Sequence, residues 1–559
     1  MTDGESRNEK AAKHAKNGFL GGLRGLRVLD AGASRSGAFS VALGISLTRI
    51  VGLVRQRVLA HYFGLGLEAD AWSAAFRIPN VLQNLFGDQA LSASFIPVYA
   101  SLVSRGEHRE ADRVAGAVFA TLALIVAVLV LVGVLATPLL IGAIAPGFSG
   151  PKRELTTRLV RILFPSTGLL VLSAWCLGVL NTHRRFLVSY TAPIAWNAAM
   201  IAALIAFGGT VDLPRLAVVV AWGAVVGGAL QFLVQVPGVI RVAPHLRFAL
   251  DTTSAPVRTV ARNFGPVFIS RGVVQISAYI DQLLASLLGT GAVAALTNAQ
   301  LLSTLPVSLF GMAVSAAELP AMAAVVGLRR EALGEGGSAE HHGALRARLE
   351  AGLRKIALFV VPSAMAFVAL GDVVTAAIFE TGRFTRTDTV YIWGILAGSS
   401  IGLLATTLGR LYSSTYYALG DTRTPLSFAI VRVFLTTVLG YFFAIPLPRL
   451  LGIAPTWGAA GLTTSAGIAG LVEMLLLRTR MNARIGRTSL AFGYTLRLWV
   501  AALIAAAAAW GVKLAAPWPG PIAAGAVVIG AYGLVYFGTT FALGVPEASK
   551  VVTRMWRRA

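Results

Sequence analysis

Three arginines lie within one apolar stretch, GISLTRIVGLVRQRVLAHYFG, at residues 44–64. They are Arg49, Arg55 and Arg57. A charge at the centre of a membrane helix costs roughly 2.5 to 3.5 kcal/mol on insertion scales, so three facing lipid would cost on the order of 8 to 10 kcal/mol. The arginines must therefore face protein, water or a ligand. Because a guanidinium group binds phosphate bidentately, the stretch predicts a phosphate-bearing ligand at membrane depth.

The positions of the three arginines do not place them on one face of a straight helix. Arg49 and Arg57 lie about 80° apart, while Arg55 points away from both, at about 100° per residue. Gly52 lies between Arg49 and Arg55, and a bend there would turn all three toward one cavity. The alternative for Arg57 is that it extends to the outer interface near His61.

The next apolar stretch carries Asp70, Arg77 and Asp88. Pro79 and Asn80 follow Arg77, and Pro79 is predicted to break the helix because it cannot donate to the helical ladder. Irregular backbone at membrane depth is tolerated where it lines a cavity. The first two spans are therefore predicted to form one wall of a basic, water-filled cavity.

Two further charges lie in the seventh apolar stretch. Arg271 is a second-half candidate for binding the same anion, and Asp281, in VVQISAYIDQLLASL, is the acid predicted to couple to an ion or proton. The alternative for Asp281 is a salt bridge between helices. Arg432 is expected to be structural.

These residues sit in a chain with the composition of a membrane protein. Of its 559 residues, 56% are hydrophobic and 13% are charged, whereas soluble proteins have about 25% charged residues. Runs such as AGAVFATLALIVAVLVLVGVLATPLLIGA are long enough to cross a hydrocarbon core of about 30 Å. The fold class expected is an all-α polytopic membrane protein with about 14 transmembrane helices. Their predicted starts are near residues 39, 70, 112, 154, 187, 214, 258, 293, 350, 388, 424, 455, 493 and 519.

The net charge of +23 reflects topology. Most of the 48 lysines and arginines lie in the two tails and the even-numbered loops, which places both termini in the cytoplasm by the positive-inside rule. The expected location is the cytoplasmic (inner) membrane, in contact with membrane lipids. Nucleic-acid binding is not expected.

Loop lengths and charge predict five regions. Residues 1–38 form a basic cytoplasmic tail, predicted to be disordered, and residues 546–559 a second basic tail. Spans 1–6 (39–240) form an N-terminal lobe, spans 7–12 (258–478) a C-terminal lobe, and two further helices occupy 493–545. Two six-helix lobes are common in transporters.

Enzyme chemistry has little support in the sequence. There is no H-E-x-x-H, no phosphate-cradling glycine loop with a lysine and no Cys/His cluster. Paired acids suited to metal or general-base work are also missing from the spans. The single cysteine, Cys176, can form no intramolecular disulfide. No cofactor or metal is expected, and a transporter is favoured.

Several motifs in order resemble the MurJ/MviN family. The first is TRIVGLVRQRVLAHYFGLGLEADAWSAAFRIPNVLQNLFGDQALSASFIPVYA. It is followed by APGF (145–148), GVLNTHRRF (178–186), ETGRFTRTDT (380–389) and YYALGDTRTP (416–425). The resemblance covers roughly residues 39 to 545.

This resemblance implies a lipid II flippase of the multidrug/oligosaccharidyl-lipid/polysaccharide exporter superfamily. It implies two six-helix lobes around a cationic cavity, alternating access, and a lipid groove formed with the last two helices. The substrate implied is undecaprenyl-pyrophosphate carrying the peptidoglycan disaccharide-pentapeptide. A pyrophosphate is an anion that membrane arginines suit.

When the family's residues are matched to this sequence position by position, the resemblance implies that Arg49, Arg55 and Arg77 bind the substrate. Asn80 and Asp88 are expected to shape the cavity, and Arg271 is a hypothetical replacement for a lost cation. The chain departs from the family at Gln56, Gln83, Gln300, Leu301 and Thr304, where charged residues are usual.

The alternatives are a flippase for another polyprenyl-pyrophosphate oligosaccharide, or a non-transporting paralogue that acts as a scaffold for cell-wall synthesis proteins. Coupling to Na⁺, H⁺ or the membrane potential stays open, as do the headgroup, the resting conformation and the oligomeric state.

Overall fold

The computed structural model describes residues 44–251, 253–331, 338–488, 490–515 and 518–549. Every long element in these ranges is a helix, as the fold class predicts. The basic tail expected at 1–38 lies outside the described residues, and so does most of the C-terminal tail.

The helices are numbered here in chain order. The first, α1, spans 44–63. The first half continues with α2 (Leu67–Phe86), α3 (Asp88–Ser94), α4 (Ile96–Ser104), α5 (His108–Leu135), α6 (Thr137–Ile144), α7 (Gly150–Thr182), α8 (Phe186–Phe207) and α9 (Leu213–Val242). The second half contains α10 (Ala255–Ser286), α11 (Ala292–Pro306), a π-helical turn (Val307–Met312), α12 (Ala313–Glu331), α13 (Ser338–Ala369), α14 (Gly371–Phe379), α15 (Arg386–Ala418), α16 (Arg423–Ala444), α17 (Pro446–Leu450) and α18 (Gly458–Ile485). The last two are α19 (Phe492–Ala515) and α20 (Pro521–Ala542).

Eleven helical segments of the described chain are long and apolar enough to cross a membrane. Three further helical runs do not meet that standard of apolarity: α1, α2 and α10. These three carry most of the charges that the sequence analysis singles out, while Asp88 lies in α3 and Arg432 in α16. With them, the described helical runs match the predicted span starts in order.

Within the first half, α7 is the central helix. It packs against α2, α5 and α9, while α8 packs on α9. Trp175 Nε1 of α7 donates to the Ala115 carbonyl of α5 at 3.1 Å. Ser173 of α7 accepts hydrogen bonds from Gln231 and Gln235 of α9, so the helix pair is joined by polar as well as apolar contacts.

In the second half, α15 packs against α18, α13 and α11. The α15–α18 pair approaches so closely at one point that a Cβ on Gly402 would overlap the Cα of Gly467. Small residues at such crossings let two backbones meet, which strengthens van der Waals packing where lipid gives no hydrophobic drive.

The last two helices pack together and against α13 and α14. Tyr532 and Tyr536 of α20 each donate a hydrogen bond at 2.7 Å to a carbonyl of α13, those of Pro362 and Leu358 respectively. These residues belong to an apolar cluster separate from the main core. The final helices are thus fixed to one edge of the second half.

The helix break predicted at Pro79 is not found. Pro79 lies inside α2, which is helical from Leu67 to Phe86, and α1 is also continuous through Gly52. The interruption falls at Gly87, whose backbone is extended. A carbonyl freed by proline inside a membrane helix can be satisfied by neighbouring groups, so proline need not end the helix.

The Gly402–Gly467 contact gives a stability prediction. Gly402→Ala should lower the free energy of unfolding by about 1–3 kcal/mol, because the added methyl group forces two packed backbones apart. Gly530→Ala in α20 is the matched control, since a Cβ there meets open space, and it should be neutral or slightly stabilising. Thermal unfolding in detergent measures both. Equal melting temperatures for the two variants would contradict the packing argument.

Candidate functional site

A buried carboxylate joins the two halves of the molecule at one end. Asp70 of α2 is completely buried and accepts hydrogen bonds from the backbone amides of Gly291 (2.7 Å) and Ala294 (2.9 Å). These amides belong to the first turn of α11, where unpaired N–H groups and the helix dipole favour an anion. Lys152 of α7 completes the arrangement with its Nζ 2.9 Å from the same carboxylate.

A second contact lies beside the first. The His61 carbonyl of α1 accepts from the Arg383 amide at 2.8 Å, and His61 Nδ1 lies 2.9 Å from Thr381 Oγ1. Gly382 has φ +56° and its missing side chain leaves room for His61, so a residue with a Cβ would be both strained and obstructed. We call this set of contacts, made by Asp70, Lys152, Gly291, His61 and Arg383, the seal.

Arg57 belongs to the seal region rather than to the arginine cluster predicted from the sequence. Its Nη1 donates to the carbonyls of Ala377 (2.7 Å) and Ile378 (2.8 Å) at the end of α14. A cation at a helix C-terminus satisfies unpaired carbonyls and the helix dipole. The structure therefore assigns Arg57 a contact between the two halves.

The first family-like motif contains His61 and Asp70 of the seal, and of the four shorter motifs two lie at the seal and two at the opposite end. APGF meets the end of α10, where the Gly147 amide donates to Ser286 Oγ at 3.2 Å, and ETGRFTRTDT contains Thr381 and Arg383. At the opposite end, GVLNTHRRF contains His183, bonded to Tyr99 at 3.0 Å.

The YYALGDTRTP motif forms a tight turn between α15 and α16. Asp421 accepts hydrogen bonds from the amides of Thr424 and Arg423 and pairs with Arg484 at 2.7 Å. The hydrogen bond from the Thr424 amide, the Thr424 hydroxyl and the Arg484 guanidinium lower the pKa of Asp421 to about 2. The turn is therefore held by a permanently charged carboxylate.

Arg49 and Arg77 both contact the second half of the chain. Arg49 Nη1 donates to Ser308 Oγ at 2.9 Å, within the π-helical turn, and Arg77 Nη1 lies 3.4 Å from Gln300 Oε1. Gln56, where the family usually has an acid, donates to Asn298 at 2.7 Å. Helices α1 and α2 thus face α11 across the interface between the two halves. Arg49 and Arg77 both lie at this interface.

Arg55 is placed differently. Its guanidinium carbon lies 5.3 Å from the ring centre of Phe76 and 5.4 Å from that of Trp196. Its buried Nε has no hydrogen-bond partner among the described residues. The structure therefore separates Arg55 from Arg49 and Arg57 and holds it by cation–π contacts inside the first half.

Asp281 lies where the two halves meet. It is within electrostatic reach of Arg77 from the first half and of Arg432 from the second, and its buried Oδ1 has no hydrogen-bond partner among the described residues. Arg432 is also paired with Glu473 at 3.1 Å, in agreement with its expected structural role. Tyr279, two residues before Asp281, donates to the Arg77 carbonyl at 3.0 Å.

The other predicted site residues are less engaged. Asn80 is half-buried within α2, and Asp88 is exposed as the first residue of α3. The side chain of Arg271 lies outside the described residues, although its backbone is part of α10. Of the positions that depart from the family, Gln300 contacts Arg77, and Leu301 is 37% exposed.

Sequence reasoning missed a second buried carboxylate. Asp372 at the start of α14 pairs with Arg386 at 2.6 Å and with Lys513 of α19 at 2.8 Å. It anchors the last helix pair to the second half. Lys513 is a rare charge in an apolar span, and that signal could have revealed a buried partner.

The second half of the molecule also contains an apolar cavity. An apolar cavity of about 300 Å³ opens between α13, α15, α18 and α19, with Leu404, Met474 and Trp499 among its lining residues. In the part of the chain that the structure describes, no group of three or more His, Cys, Asp or Glu residues could hold a metal ion.

The seal gives a prediction about accessibility. Asp70→Asn should open it, because Lys152 loses its only described carboxylate and the α11 amides lose an anion. A cysteine placed at Val293, 2% exposed beside the seal, should then react faster with a water-soluble maleimide, by about tenfold or more for a loss of 1.4 kcal/mol. Glu68→Gln, on the same turn of α2, is the matched control and should leave the rate unchanged. A rate that Asp70→Asn does not alter would remove the seal from the account.

Comparison with known proteins shows the family of the chain. The sequence profile of the family described as "Lipid II flippase MurJ" matches residues 59–520. A lipid II flippase MurJ of Burkholderia cenocepacia is 32% identical over 444 residues, covering 78% of this chain and 82% of that protein. A probable lipid II flippase MurJ of Haemophilus influenzae is 30% identical over 477 residues, covering 83% and 90%.

Solved structures show the same fold. A lipid II flippase MurJ in an inward closed conformation superposes with a TM-score of 0.72 at 23% identity, over 90% of this chain and 98% of that one. An inward-facing transporter of the multidrug resistance MATE family gives 0.63 at 17% identity, over 80% and 98%. The chain is a multi-pass membrane transporter rather than an enzyme, and it belongs to the MurJ family of lipid II flippases.

Proposed function

We propose that this protein carries lipid II from the inner to the outer leaflet of the cytoplasmic membrane for peptidoglycan synthesis. The observation that carries the proposal is the position of Arg49 and Arg77, two membrane-depth cations at the line between the halves. Family membership supports the substrate. With both termini in the cytoplasm, as the charge distribution predicts, the seal closes the extracytoplasmic end.

The bonds of the two arginines suit an exchangeable anion site. Arg49 bonds to the hydroxyl of Ser308 and Arg77 to the amide oxygen of Gln300, both of them neutral groups. A phosphate offers an arginine an ionised acceptor and two parallel hydrogen bonds, whereas Ser308 and Gln300 each offer one neutral oxygen. A pyrophosphate could therefore displace both hydrogen bonds. Their loss would weaken the α1–α11 and α2–α11 contacts that join the halves.

The remaining candidates are assigned roles within this proposal. Asn80 and Asp88 would shape the headgroup cavity, and Arg271 would add a cation from α10. Arg55 would meet the pyrophosphate only after leaving Phe76 and Trp196, so its charge would act in a later state of the cycle. The apolar cavity beside Trp499 is of the kind that would hold part of the polyprenyl chain.

Asp281 is proposed as the coupling residue. It lies between an arginine of each half and keeps one unpaired oxygen, so a change in its charge or in a bound Na⁺ or H⁺ would alter how the halves attract each other. The membrane potential is a second source of energy, since three charges moved through 100 mV supply about 7 kcal/mol.

One observation favours a different headgroup. Gln83 and Leu301 stand where the family usually has cations, so fewer side chains can donate to the pyrophosphate of lipid II. The alternative is another polyprenyl-pyrophosphate oligosaccharide. A non-transporting scaffold for cell-wall synthesis proteins is the third reading, and two arginines that bond only neutral side chains between the halves argue against it.

Replacement of the interface arginines tests the transport proposal. In a flippase-depleted bacterium, the wild-type chain should restore lipid II to the outer leaflet, while Arg49→Ala and Arg77→Ala should each reduce it about tenfold or more, because each removes a charge-assisted contact worth about 1.5–3 kcal/mol. Arg215→Ala, at a surface salt bridge with Asp212, is the control and should rescue fully. No rescue by well-expressed wild type would favour the different headgroup.

The coupling proposal has a separate test. Asp281→Asn should retain lipid II binding in detergent but should abolish the dependence of transport on the ion gradient or potential, because the unpaired carboxylate can no longer change its charge. Transport in proteoliposomes with imposed Na⁺, H⁺ and electrical gradients measures this. Unchanged gradient dependence in Asp281→Asn would exclude Asp281 as the coupling residue.

A further inference from the structure

A seam between α5 and the segment 244–264 holds two cavities that the transport proposal does not use. The outer one has a volume of about 1060 Å³ and lies between the start of α5 and the linker that joins α9 to α10. Arg109 and Arg113 line it from α5, and His245, Arg247 and Asp251 line it from the linker. This places three arginines around one space, between the first turns of α5 and the linker.

The lining of the outer cavity has a net positive charge, although Glu110 on α5 also lies 4.0 Å from Arg113. Arg113 pairs with Asp251 at 3.0 Å, and the Thr253 hydroxyl and amide also bond Asp251, holding the pKa of its carboxyl below the ordinary value. Neither Arg109 nor Arg247 has a hydrogen bond or ion pair from its side chain to any described residue. With one acid against three arginines, the lining carries two positive charges in excess.

The inner cavity continues along the same seam. It has a volume of about 240 Å³ and is lined mainly by apolar side chains of α2, α3, α5 and α10, including Phe86, Leu122 and Phe264. On α5, the outer cavity ends at Ala117 and the inner one begins at Val118. The buried hydroxyl of Thr121 lines the inner cavity and has no partner among the described residues.

A cationic space beside an apolar one on the same helix matches the chemistry of a phospholipid. Basic pockets at the cytoplasmic side of membrane helices bind anionic headgroups, and the apolar cavity excludes a soluble anion as the sole occupant of the seam. The unpaired Thr121 hydroxyl is a polar group that an ester carbonyl of the lipid could accept from.

We propose that the α5–linker seam binds one anionic glycerophospholipid of the inner leaflet, with its phosphate among Arg109, Arg113 and Arg247 and one acyl chain in the inner cavity. The lipid would tie the linker, which connects the first half of the molecule to the second, to α5. This site is separate from the arginines at α11, and its occupancy does not depend on whether the chain transports lipid II.

Native mass spectrometry of the full-length chain tests this site. Delipidated protein is titrated with phosphatidylglycerol, phosphatidylcholine, and soluble glycerophosphoglycerol or inorganic phosphate. Wild type should retain one phosphatidylglycerol in preference to phosphatidylcholine and should bind neither soluble anion. The Arg109→Gln/Arg247→Gln double variant should bind about 30-fold more weakly, since each basic residue near an anionic surface contributes about fivefold.

Two further variants separate a built site from general attraction. Arg241→Gln/Arg423→Gln removes the same charge from exposed positions of α9 and α16 that do not line the seam, and it should bind like wild type. Ala261→Trp, which fills the inner cavity from α10, should lose the lipid while keeping all the arginines. Equal loss in both double variants, undiminished binding in Arg109→Gln/Arg247→Gln, or binding of the soluble anions at the lipid's affinity would overturn the proposal.

Discussion

The buried carboxylate of Asp70 is the contact on which the observed arrangement of the two halves depends. An ion removed from water is costly unless charged and hydrogen-bonding partners surround it, and Asp70 has both: Lys152 from its own half and two amides from the start of α11. The two amides of α11 are partners of Asp70 only while the halves are together. Separation of the halves would expose the carboxylate to water, which offers an alternative solvation shell. The Asp70 contact is therefore stable while the halves are together. It can also break, because water then replaces the lost hydrogen-bond partners.

The membrane-depth arginines also depend on their partners, and these partners differ from one arginine to the next. Arg57 is committed to the carbonyls of α14, and Arg55 to two aromatic rings. Arg49 and Arg77 bond only neutral side chains across the line between halves. A membrane protein tolerates such weakly paired charges where they serve a ligand or an aqueous path. The distinction among the four arginines comes from their partners, since all four lie in similarly apolar sequence.

Much of the fold was predictable from the sequence, because the spacing of apolar runs and the bias of basic loops are local properties. The cost of charge in lipid also identified Arg49 and Arg77. The partners were not predictable: Asp70 is 82 residues from Lys152 and 221 from Gly291, and only the packing of α2, α7 and α11 brings them together. Pro79 was wrongly predicted to break α2 because local propensity is overridden where neighbouring helices satisfy the backbone. The identity of the substrate came from family resemblance, since no single side chain encodes lipid II.

The central claim is that the seal opens and the halves move apart when the interface arginines bind the substrate. Spin labels at Thr210 and Leu451, on the first and second halves in the loops α8–α9 and α17–α18, would report the separation in a Cys176→Ser background. Lipid II should shift the distance distribution in the wild-type chain toward longer distances and should leave that of Arg77→Ala unchanged. A single distribution in the wild-type chain that lipid II does not alter would contradict alternating access through this seal.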